Sequence, residues 1–122
     1  MVTNDEELHQ AIDALYSTLS AFGAGDARPF AAQWSQRDDV TIFGGFGAYE
    51  RGWAAVGPRL EWAASRFAAG GQATYEPLAA GSSGDLGYAI GLEQGETRLA
   101  GRGEPSPFVL RVTHLFRRED GA

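Results

Sequence analysis

Histidine is the side chain best suited to proton transfer near neutral pH, and this sequence has two, His9 and His114. His114 lies in a stretch of period-two alternation, and its large apolar partners on the same face are Phe108, Leu110, Val112 and Phe116. We predict that the imidazole of His114 points into an apolar concavity. There it either contacts a ligand and performs acid–base chemistry, or is a core histidine with a backbone or hydroxyl partner. His9 is predicted to lie on the solvent face of a helix.

A carboxylate and a guanidinium could form a second functional pair, at Glu93 and Arg111. The alternation places both on the sheet face opposite His114, where we predict a surface or interface ion pair between neighbouring strands. The alternative, an acid–base or anion-binding pair inside the cavity, requires a shift of one residue in register. Ser82 and Ser83 stand in a glycine-rich stretch without a strand-to-helix elbow, so we predict turn residues rather than a nucleophile.

Composition excludes several kinds of chemistry. The sequence has no cysteine and all ten of its basic residues are arginine, which rules out thiolate nucleophiles, Schiff-base lysines and a P-loop lysine. A net charge of -6 repels phosphate backbones, so we predict no nucleic-acid partner. No group of His, Asp and Glu has metal-ligand spacing, and we predict neither a metal nor a cofactor.

Length and composition indicate one globular domain. The 122 residues are 43% hydrophobic and 21% charged, close to the globular average. No apolar run approaches the roughly 20 residues that cross a bilayer, and the N-terminal segment lacks the basic and then apolar order of a signal peptide. We therefore predict a cytoplasmic protein without a membrane partner.

Helical periodicity predicts three helices before residue 70. The first follows caps at positions 3–5 and ends before Gly23, and the second follows a cap at Asp26. The third spans residues 53–69 and ends at Gly70. Its apolar face consists of Val56, Leu60, Ala64 and Phe67.

The remaining elements are predicted to be strands. A short hairpin pairs residues 40–43 with 49–51 across a glycine-rich turn. After the third helix the apolar period changes from 3.6 to 2, which predicts long antiparallel strands at 72–80, 86–99 and 108–118.

Four segments, in this order, resemble the SnoaL-like group of the nuclear transport factor two-like superfamily. They are residues 38–44 (DDVTIFG), 49–53 (YERGW), 83–88 (SGDLGY) and 110–121 (LRVTHLFRREDG). The resemblance covers nearly the whole chain as a single domain, residues 1–122. It implies an α+β fold in which three N-terminal helices and a β-hairpin pack in the concave face of a curved, mostly antiparallel sheet, a cone-shaped barrel.

Relatives in this group usually continue past the final Asp-Gly turn with one more strand. We predict that this chain lacks the last strand, which leaves the edge of its third long strand free to pair between subunits.

The resemblance also invites comparison with ketosteroid isomerase, which uses an Asp base and an oxyanion hole of Tyr and protonated Asp. Matching its Asp-Asp pair to residues 38–39 places the base at Gly44, which accepts no proton. Matching the final turn places the acidic donor at His114, or at Thr113 after a slip of one residue. Tyr16 lies about two positions from the residue that would match the tyrosine of the oxyanion hole. The resemblance thus implies His114 and Tyr16 as candidate catalytic residues and disfavours that steroid isomerase mechanism.

A shared fold in this superfamily accommodates isomerases, cyclases, dehydratases, hydrolases and non-catalytic adaptors. We predict a protein that binds a small apolar molecule in a conical pocket, with isomerase, cyclase or dehydratase activity by acid–base chemistry. The predicted ligand-binding residues are Trp34, Ile42, Phe46, Tyr88, Ile90, Leu110 and His114. The alternative is a non-catalytic binding or dimerisation module. A relative of epoxide hydrolases is less favoured, because no Asp-Arg-Asp constellation can be placed.

The outer sheet face is predicted to form a homodimer interface, because small and apolar residues alternate with charges along it. Its predicted members are Ala89, Gly91, Glu93, Val109, Arg111, Thr113 and Leu115.

Overall fold

The computed structural model describes residues 4–69, 71–101 and 104–119. The proposed cap Thr3, the helix end at Gly70 and the final turn at 120–121 lie outside these residues.

The described residues form an α+β structure. Its helices are α1 (Asn4–Tyr16), α2 (Leu19–Gly23), α3 (Arg28–Ala31) and α4 (Trp53–Ala64). Its strands are β1 (Thr41–Ile42), β2 (Glu50–Arg51), β3 (Gln72–Ser83), β4 (Leu86–Thr97) and β5 (Ser106–Arg117).

The first predicted helix is divided into α1 and α2. Between the two helices, two side-chain hydroxyls donate hydrogen bonds to backbone carbonyls three residues earlier. Ser17 Oγ donates to Ala14 O at 2.7 Å, and Thr18 Oγ1 donates to Leu15 O at 2.5 Å. Such local bonds compete with the helical ladder. The division sets Tyr16 at the end of α1.

The second predicted helix is the short α3, whose N-cap residue is Ala27, and Asp26 lies one residue before it. The carboxylate of Asp26 accepts a hydrogen bond from the backbone N–H of Arg28 at 3.1 Å, and a proline occupies the first turn. Phe30 is buried, whereas Trp34 follows the helix end and is half-buried.

Helix α4 supplies the centre of the core. The predicted apolar face is confirmed at Val56, Leu60 and Ala64, each at most 1% exposed. Leu15 and Phe30 complete the buried cluster around them. The helix ends earlier than predicted, and Phe67 instead forms an antiparallel bridge with Leu99.

The two sheets confirm the predicted strands. In the small hairpin β1 pairs with β2, with Thr41 opposite Arg51. In the large sheet the order is β3-β4-β5, all antiparallel, and a register shift between Pro77 and Ala79 interrupts β3. Among the described residues β5 is an edge strand.

Cross-strand pairing assigns the two faces of the large sheet. Ala89 lies opposite His114, and Glu93 lies opposite both Tyr75 and Leu110, so these residues share one face, here called the inner face. The outer face carries the alternate positions, which include Tyr88, Ile90, Arg111, Thr113 and Leu115.

The prediction of which β4 side chains point inward is therefore wrong: the alternate residues do so. The inner face of β4 carries small residues because α1 packs directly on it. Ala89 is 1% exposed in a cluster with Leu8 and Ile12, and a Cβ at Gly87 would lie 2.8 Å from Leu8 Cδ1. The larger apolar residues of β4, Tyr88 and Ile90, point to the outer face.

The helices of the described residues do not include any long and apolar enough to cross a membrane.

Candidate functional site

One phenol joins two titratable side chains on the inner face of the sheet. Tyr16, at the end of α1, donates a hydrogen bond from its hydroxyl to Glu93 Oε2 at 3.0 Å. The same hydroxyl lies 3.1 Å from His114 Nδ1. Glu93 is on β4 and His114 on β5, so three elements supply the cluster, here called the Tyr16 network.

The proton count of the Tyr16 network selects a histidine tautomer. A phenol has a single proton, and an ionised Glu93 can only accept, so with Glu93 ionised Tyr16 gives its proton to Glu93. His114 must then donate from Nδ1 to the Tyr16 oxygen, which leaves the lone pair on Nε2. A neutral histidine with a free Nε2 can accept a proton from a ligand.

Burial shifts the titration of all three groups toward their neutral forms. It lowers the pKa of His114 and raises the pKa of Glu93, although the bond from Tyr16 to Glu93 partly opposes the latter. The pKa of Tyr16 is raised by burial and then by the charge of Glu93. These shifts favour the neutral forms of Tyr16 and His114 and oppose the ionisation of Glu93, the carboxyl at the end of the network.

Tyr75 adds a second phenol beside the Tyr16 network. Its ring stacks on Tyr16 with centroids 3.8 Å apart and planes 13° apart. Burial, and then the charge of Glu93, raise the pKa of Tyr75. Its buried hydroxyl has no hydrogen-bond partner among the described residues.

An open cavity of about 1790 Å³ lies along the inner face, the helices and the hairpin, and it extends around the edge strand β5 to Arg111, Thr113 and Leu115. Typical small-molecule pockets have roughly 300–1,000 Å³, so this one can admit a ligand with room at its mouth. The structure places five of the predicted ligand-binding residues along its wall: Trp34, Ile42, Phe46, Leu110 and His114. Glu93 also lines the cavity. The ligand-binding and catalytic roles of all these residues stay predictions.

Two predicted cavity residues are misplaced. Tyr88 pairs with Leu115 and Ile90 with Thr113, and both lie on the outer face, 41% and 40% exposed. Their assignment to the cavity is wrong, because it followed the large apolar residues of β4 and not the small ones under α1.

The predicted ion pair between Glu93 and Arg111 is also wrong. Arg111 lies opposite Leu92 on the outer face, whereas Glu93 points inward to Tyr16. Both residues border the cavity, as the alternative had it, but they do so from opposite faces of the sheet. For the same reason Ala89, Gly91 and Glu93 do not belong to the outer face proposed as an interface, and Val109, Arg111, Thr113 and Leu115 remain on it.

The sequence did not lead us to name Tyr75 as a site residue, and it placed Glu93 in the cavity only as an alternative. The signal that could have found them is the alternation of Gly87, Ala89 and Gly91 along β4. Small residues at period two indicate a sheet face on which a helix packs closely. Glu93 continues that alternation, so it follows Gly91 onto the same face.

The described residues contain no group of three or more His, Cys, Asp or Glu side chains arranged to hold a metal ion.

No family model matches the sequence, and no curated protein matches it. Among solved structures, the chain is similar to a protein from Thiobacillus denitrificans assigned as a calcium/calmodulin-dependent protein kinase type II association domain. The TM-score is 0.66 at 20% identity, over 98% of this chain and 86% of that one. This likeness shows a shared fold and confirms the predicted α+β fold class.

Proposed function

We propose that this chain is a SnoaL-like protein that binds a small, largely apolar molecule in the cavity and acts on it by acid–base chemistry. The observation that carries the proposal is the Tyr16 hydroxyl placed between Glu93 and His114 at an apolar wall. A buried polar relay of this kind costs stability unless its members are all satisfied. Its position beside an open cavity supports a functional role.

His114 is the proposed general base. Its Nε2 lone pair takes a proton from the ligand, and the Nδ1–H bond to Tyr16 holds the ring while the imidazolium forms. Tyr16 connects the new charge to the carboxyl of Glu93, which stabilises it when ionised. Return of the proton from His114 to another carbon of the ligand completes an isomerisation. Its delivery to a departing hydroxyl group, which leaves as water while the double bond forms, completes a dehydration.

An enolisable ketone tests this chemistry. The probe is 2-tetralone, an apolar bicyclic ketone, and the measurement is exchange of its α-protons for deuterium in D2O, followed by NMR. We expect the protein to accelerate exchange, and we expect His114→Phe to lose most of that acceleration, about 10²-fold or more. Tyr49→Phe, which removes a phenol 67% exposed on the hairpin, is the matched control and should keep it.

Two results would count against acid–base catalysis. One is an exchange rate with the protein equal to that in buffer while calorimetry shows 2-tetralone bound. The other is equal acceleration by the native chain and His114→Phe. Absence of both binding and exchange would favour the second candidate.

The second candidate is an association module that pairs with another copy through the outer face. Three apolar side chains there are strongly exposed for a sheet: Leu115 at 81%, Val109 at 64% and Tyr88 at 41%. Contiguous exposed apolar surface is typical of interfaces. The similar protein from Thiobacillus denitrificans is assigned as an association domain, which supports the same candidate.

Sedimentation equilibrium tests the association. We expect a homodimer that Leu115→Glu converts to monomer, because the new carboxylate would be buried without a partner. Phe43→Glu is the control, since Phe43 is 76% exposed on the hairpin and away from the outer face. A native chain that stays monomeric at high micromolar concentration, or a dimer that survives Leu115→Glu, would exclude this interface.

A further inference from the structure

Glu93 is a cavity-lining carboxylate without a cationic partner. Among the described residues its polar contact is the Tyr16 hydroxyl, and that hydroxyl occupies Oε2. His114, the nearest basic side chain of the Tyr16 network, does not compensate the charge, because burial lowers its pKa and keeps it neutral at neutral pH. A partly buried carboxylate in this position is stabilised only if it is protonated or if a cation reaches it.

The arginines that line the cavity form no ion pair with Glu93 among the described residues. Arg117 bonds Asp39 at 2.7 Å and Glu119 at 2.9 Å. Arg59 donates to Gly47 O at 3.0 Å and lies 4.1 Å over the ring of Trp62. Arg111 borders the cavity from the outer face of β5, on the side of the sheet opposite Glu93. An ionised Glu93 therefore has no ion-pair partner among the described side chains.

The surroundings of Glu93 suit a cation that carries apolar groups. The aromatic ring that lines the cavity here is that of Trp34, which stands edge-on to His114 with ring centroids 6.4 Å apart; the rings of Tyr16 and Tyr75 stack on each other behind the lining. Aromatic faces attract ammonium groups as well as burying hydrocarbon. The net charge of -6 on the chain also favours the approach of cations over anions.

We propose that the ligand of the cavity is an amine: an apolar body carrying one protonated nitrogen, which binds the carboxylate of Glu93. The inference rests on the proposed function in that it requires the cavity to bind a ligand. It adds the chemical class of that ligand. Binding would hold Glu93 in its ionised form and so place a full negative charge at the end of the Tyr16 network.

Two probes with the same bicyclic body, one charged and one neutral, distinguish binding of the ammonium group from burial of the apolar body. They are 2-aminotetralin, which is a cation at pH 7.5, and 2-tetralol, its neutral hydroxyl counterpart. Titration calorimetry on the native chain should give an affinity for the amine about tenfold or more above that for the alcohol, as expected for a hydrogen bond to a charged group. In Glu93→Gln the two affinities should agree within about threefold.

Glu76→Gln is the matched control. It removes the same formal charge from β3, next in sequence to Tyr75, but Glu76 pairs with Leu92 on the outer face. The amine preference should survive in Glu76→Gln. If Glu93→Gln does not fold, the same titrations on the native chain at lower pH provide the test. Acidification that protonates Glu93 should weaken binding of the amine and leave binding of the alcohol unchanged.

The outcomes separate this inference from the proposed function. Equal binding of amine and alcohol to the native chain overturns the amine and leaves the cavity as a ligand site. An amine preference that persists in Glu93→Gln also overturns it, because the cation would then bind elsewhere. If neither probe binds, the amine and the cavity's role as a ligand site both fail.

Discussion

The ring of Tyr75 occupies the space that a side chain on Gly91 would need. A Cβ at position 91 would overlap Tyr75 Cε1 and Cζ and the backbone oxygen of Glu76. Because Gly91 has no side chain, the Tyr75 ring lies flat against the inner face and stacks on Tyr16. The glycine therefore sets the position of the aromatic pair beside the Tyr16 network.

Gly91→Ala is expected to destabilise the fold. The added methyl forces Tyr75 away from the sheet, and overpacking of this kind costs about 1–3 kcal/mol. Urea denaturation followed by circular dichroism measures the loss. Gly23→Ala is the control, because a Cβ there meets nothing within 4 Å and the position ends α2, so stability should be unchanged or rise by about 0.4–1 kcal/mol. Equal effects of the two substitutions would show that Tyr75 does not rest on Gly91.

The helices and strands could be predicted because their signals are local. Val56, Leu60 and Ala64 recur at helical spacing and are buried, and the period-two alternation of β5 places His114 inward as expected. The facing of β4 could not be found by the same rule. There the largest apolar residues, Tyr88 and Ile90, face outward, and the packing of α1 selects the small ones.

Tyr16→Phe tests the Tyr16 network by removing one oxygen. Glu93 and His114 both lose their partner while the ring and its stacking on Tyr75 remain, so we expect a loss of about 1–3 kcal/mol in the free energy of unfolding. Tyr49→Phe removes an exposed hydroxyl and should change stability by less than about 0.5 kcal/mol. Similar losses in both variants, measured by urea denaturation, would mean that the bridge contributes nothing.

Glu93→Gln should change how stability depends on pH. Burial raises the pKa of Glu93, so the folded chain holds this proton more tightly than the unfolded chain does. The corresponding stabilisation is full below the ordinary pKa of 4.5 and is lost as the pH rises through the folded pKa. The glutamine variant has no such loss.

The stability of Glu93→Gln relative to the native chain should therefore increase between pH 4.5 and pH 8. Urea denaturation at both pH values gives the difference, and Glu76→Gln reports the effect of removing one charge from the outer face. A difference that stays constant over this range would contradict a raised pKa for Glu93.

The members of the Tyr16 network could be predicted only in part. His114 was identifiable because a histidine among apolar residues at period two is unusual. Its bond to Tyr16 depends on where α1 ends, and this is set by the side-chain bonds of Ser17 and Thr18. The place of Glu93 depends on the facing of β4. Both are consequences of packing between elements distant in sequence, which periodicity within one element does not report.

The tautomer of His114 is the last prediction, and it bears directly on the proposed base. If Tyr16 donates to Glu93, His114 carries its proton on Nδ1 and Nε2 has a free lone pair. Nitrogen-15 NMR of the imidazole distinguishes the two nitrogens, and His9→Gln leaves one histidine to assign. We expect the Nδ1–H form at pH 8, with a titration midpoint below 6.5, because burial lowers the pKa of His114. Since the folded chain then binds this proton less tightly than the unfolded chain, stability from His114 is present above pH 6.5 and falls as the pH drops through the folded pKa. An Nε2–H form would mean that Tyr16 donates to His114, and Nε2 would then be unable to accept a proton from a ligand.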